Sequence, residues 1–293
     1  MENFKSGYVS LIGKPNVGKS TLFNTLLKEK ISIVTSKPQT TRNSILGILS
    51  GENYQIIFTD TPGILIPEYL LQKIMLKSIS KSVNNTDVIV LLMDPFSSFD
   101  LELKTIKKIK KEIPVLLAIN KIDLIKKEKL LPLIDISQQS YDFKEIIPIS
   151  AMKNEGIDVL LKSVIEYLPF SPPFYDPEQL TIDPERFFVA EIIREEIFNY
   201  FKEEIPYSTG VKIEEFQEKE NNNYIKAIIW VERISQKGIL IGKNGDALKQ
   251  IGILSRKQIE NFLEKKVYLE LWVKVKKNWR KDKQMLKQLG YGE

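Results

Sequence analysis

The sequence predicts an α/β domain with a mostly parallel sheet, followed by a smaller α+β domain. Three observations predict it. Apolar β-branched runs alternate with helix-length segments through the first 168 residues, the pattern of a parallel sheet covered on both faces. Four prolines then fall within residues 168–177, and no helix continues through them. Beyond them the order changes to helix, two strands, glycine-rich turn, helix, strand and helix. The expected division is a first domain over 1–168, a proline-rich linker over 169–184 and a second domain over 185–293.

In the first domain the strands are expected at Tyr8–Ile12, Ile45–Leu49, Tyr54–Thr59, Val88–Met93, Val115–Ile119 and Ile146–Ile149. Helices are expected at Lys19–Lys28, Glu68–Val83, Leu101–Glu112 and Gly156–Tyr167. The short turn at residues 50–53 makes the second and third strands a hairpin, hence one antiparallel edge. In the second domain a helix is expected over Pro184–Phe201 and strands over Val211–Phe216 and Tyr224–Glu232, joined through Asn221, Asn222 and Asn223. A helix ending near Lys265, a strand at Val267–Val275 and a last helix near Asp282–Leu289 complete it.

Composition removes several chemistries. The chain has no cysteine and no histidine, which excludes disulfides, thiolate metal sites and histidine-based catalysis. No apolar run reaches the ~18 residues of a membrane span, and the N-terminus lacks a signal-peptide pattern. A cytoplasmic protein is expected. Charge is uneven along the chain. Residues 171–232 carry 6 basic and 14 acidic side chains, and residues 233–293 carry 15 and 6. That asymmetry suggests a polyanion partner, with a lysine-rich solvated surface as the bland alternative.

Residues 13–20 form the pattern G-x-x-x-x-G-K-S between a strand and a helix. Gly13, Lys14, Pro15, Asn16, Val17, Gly18, Lys19, Ser20 and Thr21 are thereby candidates for a phosphate loop. Its backbone N–H groups and the helix N-terminus attract phosphate. Lys19 reaches the β- and γ-phosphates, and Ser20 is a Mg²⁺ ligand. Asn120, Lys121, Ile122 and Asp123 follow the fifth strand. A buried carboxylate at Asp123 pairs with guanine N1–H and its 2-amino group, which adenine lacks. Asn120 is expected to tie this loop to the phosphate loop. Ser150, Ala151 and Met152 follow the next strand and offer a backbone N–H to guanine O6. Asp60, Thr61, Pro62, Gly63 and Ile64 end the third strand. There Asp60 would hold Mg²⁺ through water, and the Gly63 N–H would sense a γ-phosphate.

This series is similar to the motifs of the translation-factor-related GTPases. The resemblance implies GTP and GDP as ligands, Mg²⁺ as cofactor, and a first switch within 29–43. Thr41 is the expected switch ligand of Mg²⁺, with Thr40 as the fallback. Lys19, Thr41, Asp60 and Gly63 form the expected catalytic set. Ras-like enzymes place a water-orienting glutamine where this chain has Ile64, so slow intrinsic hydrolysis is expected. Relatives with asparagine at the position of Asn16 bind K⁺ there; a structural cap of the loop is the alternative.

In the second domain Gly242, Lys243, Asn244 and Gly245 form a G-x-x-G loop between apolar Ile239–Ile241 and a helix. The order of elements resembles the prokaryotic type of KH domain, in which this loop clamps single-stranded nucleic acid. Ile239 and Ile241 would line the base groove. Lys274, Lys276, Lys277 and Arg280 would form a phosphate-binding rim. Trp272 and Trp279 are read chiefly as packing residues, with base stacking the lesser alternative.

From Gly7 to Tyr291 the chain resembles a family of bacterial ribosome-assembly GTPases that pair these two domains. Gln39-Thr-Thr-Arg42, Glu191-Ile-Ile-Arg194, Pro206-Tyr-Ser208, residues 269–276 and Leu289-Gly-Tyr291 carry the likeness. It implies a monomer that binds the 3′ end of 16S ribosomal RNA and helps mature the small ribosomal subunit. Some relatives also associate loosely with the inner membrane. One departure is Asn43, where the family usually has histidine. A constitutive RNA-binding module with a purely structural nucleotide domain is the rival reading.

Overall fold

The computed structural model describes residues 3–35, 37–98, 100–107, 112–220 and 222–292. Two compact units result: Met1–Pro67 with Met75–Ile182, and Glu68–Ile74 with Asp183–Glu293.

The first unit is built on six strands: β1 (Lys5–Ile12), β2 (Ile45–Ser50), β3 (Tyr54–Asp60), β4 (Val88–Met93), β5 (Val115–Ile119) and β6 (Glu145–Pro148). Their order is β2-β3-β1-β4-β5-β6. All neighbours are parallel except β2 and β3, the expected hairpin. The central strands β4 and β5 are buried along their whole length, as a strand covered on both faces must be. Helices α1 (Lys19–Leu27), α2 (Leu70–Asn84), α3 (Asp100–Ile106), α4 (Leu130–Ser140) and α5 (Ile157–Tyr167) complete the set; the opening of α2, through Ile74, belongs to the second unit. Four loops leave the C-terminal ends of β1, β3, β5 and β6, and there the candidate residues of this unit gather, as in other open α/β sheets.

Several boundaries differ from expectation. β1 begins three residues early because Lys5, Ser6 and Gly7 continue the parallel ladder with β3, opposite Tyr54, Gln55 and Ile56. α4 was not anticipated; Pro132 in its first turn reads as a breaker but is tolerated there. α3 is described only to Ile106, and residues 108–111 of the expected helix lie outside the described residues.

Residues 169–182, expected as a linker, are packed on the first unit. Prolines forbid helix but not an extended strap. Ser6 and Ser171 N–H donate to Pro169 and Phe4 carbonyls. The buried Gln55 side chain accepts from Phe174 and Tyr175 N–H (2.7 and 2.9 Å) and donates to the Tyr175 carbonyl (2.8 Å). Farther on, Ile48 N–H donates to the Leu180 carbonyl and Thr181 Oγ1 to the Leu46 carbonyl (2.7 Å).

The second unit contains α6 (Glu185–Tyr200), the short α7 (Ile205–Ser208), β7 (Gly210–Gln217), β8 (Asn223–Val231), α8 (Ile234–Ile241), α9 (Asp246–Leu263), β9 (Val267–Val275) and α10 (Lys283–Gln288). Asn221 of the expected β7–β8 turn lies outside the described residues. The sheet runs β7-β8-β9, with β7–β8 antiparallel and β8–β9 parallel. Val189, Ile193 and Ile197 of α6 and Ile251 and Ile259 of α9 bury against Ile225, Ala227, Ile229 and Val273 of the sheet. α8 was missed, because Gly238 sits inside it and only Ile239–Ile241 after the glycine is an apolar run. Among the described residues, no helix is long and apolar enough to cross a membrane.

Candidate functional site

The loop after β1 turns through Gly13 and Gly18, and α1 starts at Lys19. Gly18 has φ 99°, and a Cβ there would lie 2.2 Å from Asn120 Nδ2, so the position demands glycine on two counts. Lys19 is buried, and its Nζ donates to the carbonyls of Gly13 (3.1 Å) and Lys14 (2.8 Å). Burial pulls its ammonium down to about 8, opposed by the charges of Asp60 and Glu102. A polyanion bound beside it would favour its charged form against the cost of burial. The Lys14 N–H donates to Glu102 Oε1 (3.1 Å), a buried α3 carboxylate that sequence reasoning did not single out. No motif marks it.

At the end of β3, Asp60 is fully buried. Its Oδ2 accepts from Ser20 Oγ (2.6 Å), Ser32 Oγ (2.7 Å) and Thr41 Oγ1 (3.4 Å). Ser20 and Thr41 hydroxyls lie 2.9 Å apart. Thr40 instead bonds Thr35 Oγ1 and the Lys37 carbonyl, both at 2.7 Å, so of the two switch candidates only Thr41 faces Asp60. Asp60 Oδ1 is buried without a hydrogen-bond partner. Burial raises the Asp60 carboxyl, and the surrounding hydroxyls and Lys19 oppose that rise. An all-oxygen set with one orphaned carboxylate oxygen fits Mg²⁺ held partly through water.

Thr61 Oγ1 donates to the Leu11 carbonyl (2.6 Å). Gly63 sits against Pro15: a Cβ would come within 2.5 Å of the Pro15 nitrogen. The next N–H, of Ile64, donates to the Gly13 carbonyl (3.0 Å). The segment after β3 is therefore clasped to the phosphate loop by backbone. The Ile64 side chain is buried in the core beside Ile12 and Ile89.

The base-reading residues assemble on the β5 and β6 loops. Asn120 Nδ2 donates to the Val17 carbonyl (2.8 Å), and its Oδ1 accepts from Ala151 N–H (2.9 Å). One amide thus ties three loops together, including the expected link to the phosphate loop. Lys121, with φ 62°, donates from Nζ to the Asn16 carbonyl (2.6 Å) and pairs with Asp94 (3.3 Å). Asp123 Oδ1 accepts from Ser150 Oγ (2.6 Å). Contrary to the expectation of a buried carboxylate, Asp123 is exposed, because its loop is the rim of the site. Its selectivity then depends on the base covering it. Ile122 opens the short 3-10 turn Ile122–Leu124 that carries Asp123, and Met152 is exposed at the outer edge.

In the second unit the G-x-x-G loop joins α8 to α9. Gly242 has φ 76°, and a Cβ would lie 2.7 Å from that of Ala247; Gly245 has φ 84° and open space above it. Lys243 and Asn244 are exposed at the tip, beside the positive end of the 18-residue α9. Ile239 is exposed, and Ile241 packs partly on the core.

The residues of the expected basic rim are partly engaged within the unit, and Lys277 and Arg280 line one pocket. Strand alternation puts Val273 in the core and Lys274 on the opposite sheet face, where Lys274 pairs with Glu214 (3.8 Å). Arg280 pairs with Glu232, the Lys276 ammonium lies 5.5 Å from the Trp230 ring centroid, and Lys277 is exposed. Trp279 is fully buried, with Nε1 donating to the Ser208 carbonyl (2.9 Å), so it packs rather than stacks on a base. Trp272 is half exposed.

A phosphate loop, a β3-end acid with converging hydroxyls and an N-K-x-D loop, joined in one chain to a G-x-x-G domain, define a GTPase with a KH nucleic-acid module. Family models agree: that of the 50S ribosome-binding GTPase matches residues 8–121, and that of the KH domain matches 204–280. The chain is 45% identical to GTPase Era of Ruminiclostridium cellulolyticum (99% of this chain, 98% of the relative) and 46% identical to GTPase Era of Lactobacillus helveticus (99% and 97%). It belongs to the Era family of GTPases. Its fold superimposes, with TM-score 0.95 and 40% identity, on an Aquifex aeolicus Era variant bound to GDP·AlF4⁻ and on an Era complex with MgGDPNP and nucleotides 1506–1542 of 16S ribosomal RNA; each comparison covers 99% of this chain and 100% of the other.

Proposed function

We propose that the chain is a GTP-hydrolysing switch that binds the 3′ end of 16S ribosomal RNA and assists maturation of the small ribosomal subunit. The observation that carries the nucleotide half is the convergence of Ser20, Thr41 and Asp60 beside Lys19. Lys19 and the loop amides hold the β- and γ-phosphates. Ser20 and Thr41 ligate Mg²⁺, whose charge offsets that developing on the transferred phosphoryl group, and Asp60 anchors its water. Asp123 reads guanine. With Ile64 in the core, no side chain at that position orients the attacking water. Asn16 would hold K⁺ beside the phosphates, where its charge would offset part of that deficit, and hydrolysis is then expected to be faster in potassium than in matched sodium buffer. Equal rates would remove K⁺ from the mechanism.

The G-x-x-G loop clamps the RNA backbone, and Lys243 supplies charge. The protein works in the cytoplasm beside the ribosome. A pool loosely bound to the inner membrane would appear as salt-releasable protein in the membrane pellet. The test of the whole reading is paired: GTP hydrolysis by the purified chain, and filter binding of an oligonucleotide of the 16S 3′ end. Hydrolysis and binding that both saturate are expected. Absence of Mg²⁺-dependent hydrolysis would overturn the enzyme, and equal affinity for a scrambled oligonucleotide would overturn the RNA assignment.

A further inference from the structure

Three hydroxyls meet Asp60, and two of them have work with the ion. Ser20 opens α1, and Thr41 lies in the first switch. The third, Ser32, belongs to no motif, yet it is fully buried and its hydroxyl donates to Asp60 Oδ2 at 2.7 Å. Its backbone is clamped. Asn24 of α1 accepts from the N–H groups of Ile31 (3.1 Å) and Ser32 (2.8 Å) through Oδ1, and donates from Nδ2 to the Ser32 carbonyl (2.7 Å). One α1 side chain thus satisfies three backbone groups of the segment leading into the first switch.

We infer that Ser32 is a positioning residue for the Mg²⁺ site: held by Asn24, it fixes Asp60 Oδ2 and so aims the unpartnered Oδ1 at the water of the ion. This rests on the reading of Asp60 as the Mg²⁺ acid. The clamp lies upstream of Thr35–Thr41 and depends on none of those residues. When Thr41 withdraws after loss of the γ-phosphate, Ser32 and Ser20 still orient the carboxylate. Ser32 therefore matters most in the diphosphate state, where it keeps the acid arranged between turnovers. Removing a partner of a metal's own ligand typically costs about 10- to 100-fold in metal affinity; Ser32 acts through a carboxylate that meets the ion through water, so the low end applies.

The experiment follows release of a fluorescent methylanthraniloyl-GDP from the full chain while free Mg²⁺ is varied from EDTA upward. In the wild type Mg²⁺ slows release, and the curve gives a half-effect concentration. Ser32→Ala is expected to raise that concentration about 10-fold, the low end for partners of metal ligands, with release in EDTA unchanged. Ser32→Thr, which keeps the hydroxyl, restores the wild-type value. Ser32→Cys keeps the volume with a weak donor and serves if the alanine protein does not fold; its half-effect concentration must rise too. An unchanged half-effect concentration overturns the inference while leaving the Mg²⁺ reading standing. So does a release rate that moves by the same factor with and without Mg²⁺, which marks a purely structural role. A wild type indifferent to Mg²⁺ overturns both the inference and the reading beneath it.

Discussion

The roles proposed for Asp123 in reading the base and for Gly63 in sensing the phosphate each have a separable test. Asp123→Asn replaces an acceptor with an amide whose N–H₂ suits the 2-oxo group of xanthine. Preference should move from GTP toward xanthosine triphosphate by ~10²-fold or more; unchanged GTP affinity would remove the base-reading role. Gly63→Ala meets Pro15, where a Cβ has 2.5 Å to the loop nitrogen. That neighbour is backbone and cannot swing aside, so the Ile64 N–H to Gly13 carbonyl bond should break. Hydrolysis should fall ~10²-fold or more if the Gly63 N–H stabilises the transferred phosphate, while GDP affinity changes much less. Equal losses of GDP affinity and rate would indicate a collapsed loop. These residues were legible because spacing within one loop is local. Ser32, Asn24, Glu102 and Asp94 were not: each reaches the site from another segment, and a lone serine or glutamate in sequence looks like any surface residue.

Among the elements, strands were read more accurately than helices or connections. The buried runs β4 and β5, and β9 with its clean alternation, carry their period openly. α8 and α4 were missed because a glycine or a proline sits inside them. The 169–182 strap was invisible for a different reason: it is held by backbone hydrogen bonds and by side-chain contacts with residues far away in sequence, Gln55 and Tyr8 among them. Gln55→Leu leaves three strap groups unbonded: two N–H donors and one carbonyl. It should cost ~1–3 kcal/mol and make residues 170–180 the first site of limited proteolysis. A cleavage pattern identical to wild type would show that the strap holds without it. In the second unit α6 buries Arg194 on its own Glu191. Glu191→Ala strands that guanidinium and should destabilise the unit by ~3–5 kcal/mol. Trp230, Trp272 and Trp279 all lie in this unit and are the only tryptophans in the chain, so urea unfolding followed by their fluorescence reads it selectively. An unshifted midpoint would contradict the account.

For the molecule as a whole, the question is whether nucleotide and RNA sense each other. Both sites can be intact in one chain without coupling, and that is what the rival reading of a constitutive RNA-binding module asserts. If the chain is a switch, RNA binding favours the triphosphate state, and linkage requires RNA to raise affinity for a GTP analogue by the factor by which the analogue raises affinity for RNA. Such couplings are ~1–3 kcal/mol, or roughly 5- to 150-fold. The structure shapes the control. Gly242→Asp would strike Ala247 and strain a φ of 76°, so it would damage the fold as well as the RNA contact. Lys243 and Asn244 are exposed at the loop tip, and Asn244 has the left-handed φ of 54° that aspartate tolerates. Lys243→Asp with Asn244→Asp reverses the charge facing the RNA backbone without repacking anything. This variant should lose the 16S 3′-end oligonucleotide, most steeply at low salt, yet bind GTP analogue as wild type does without RNA. The measurement is the full cycle: analogue affinity with and without the oligonucleotide, in wild type and in the double variant. Coupling in the wild type that vanishes in the variant establishes the switch; equal analogue affinities in all four corners would leave two tethered activities in place of one.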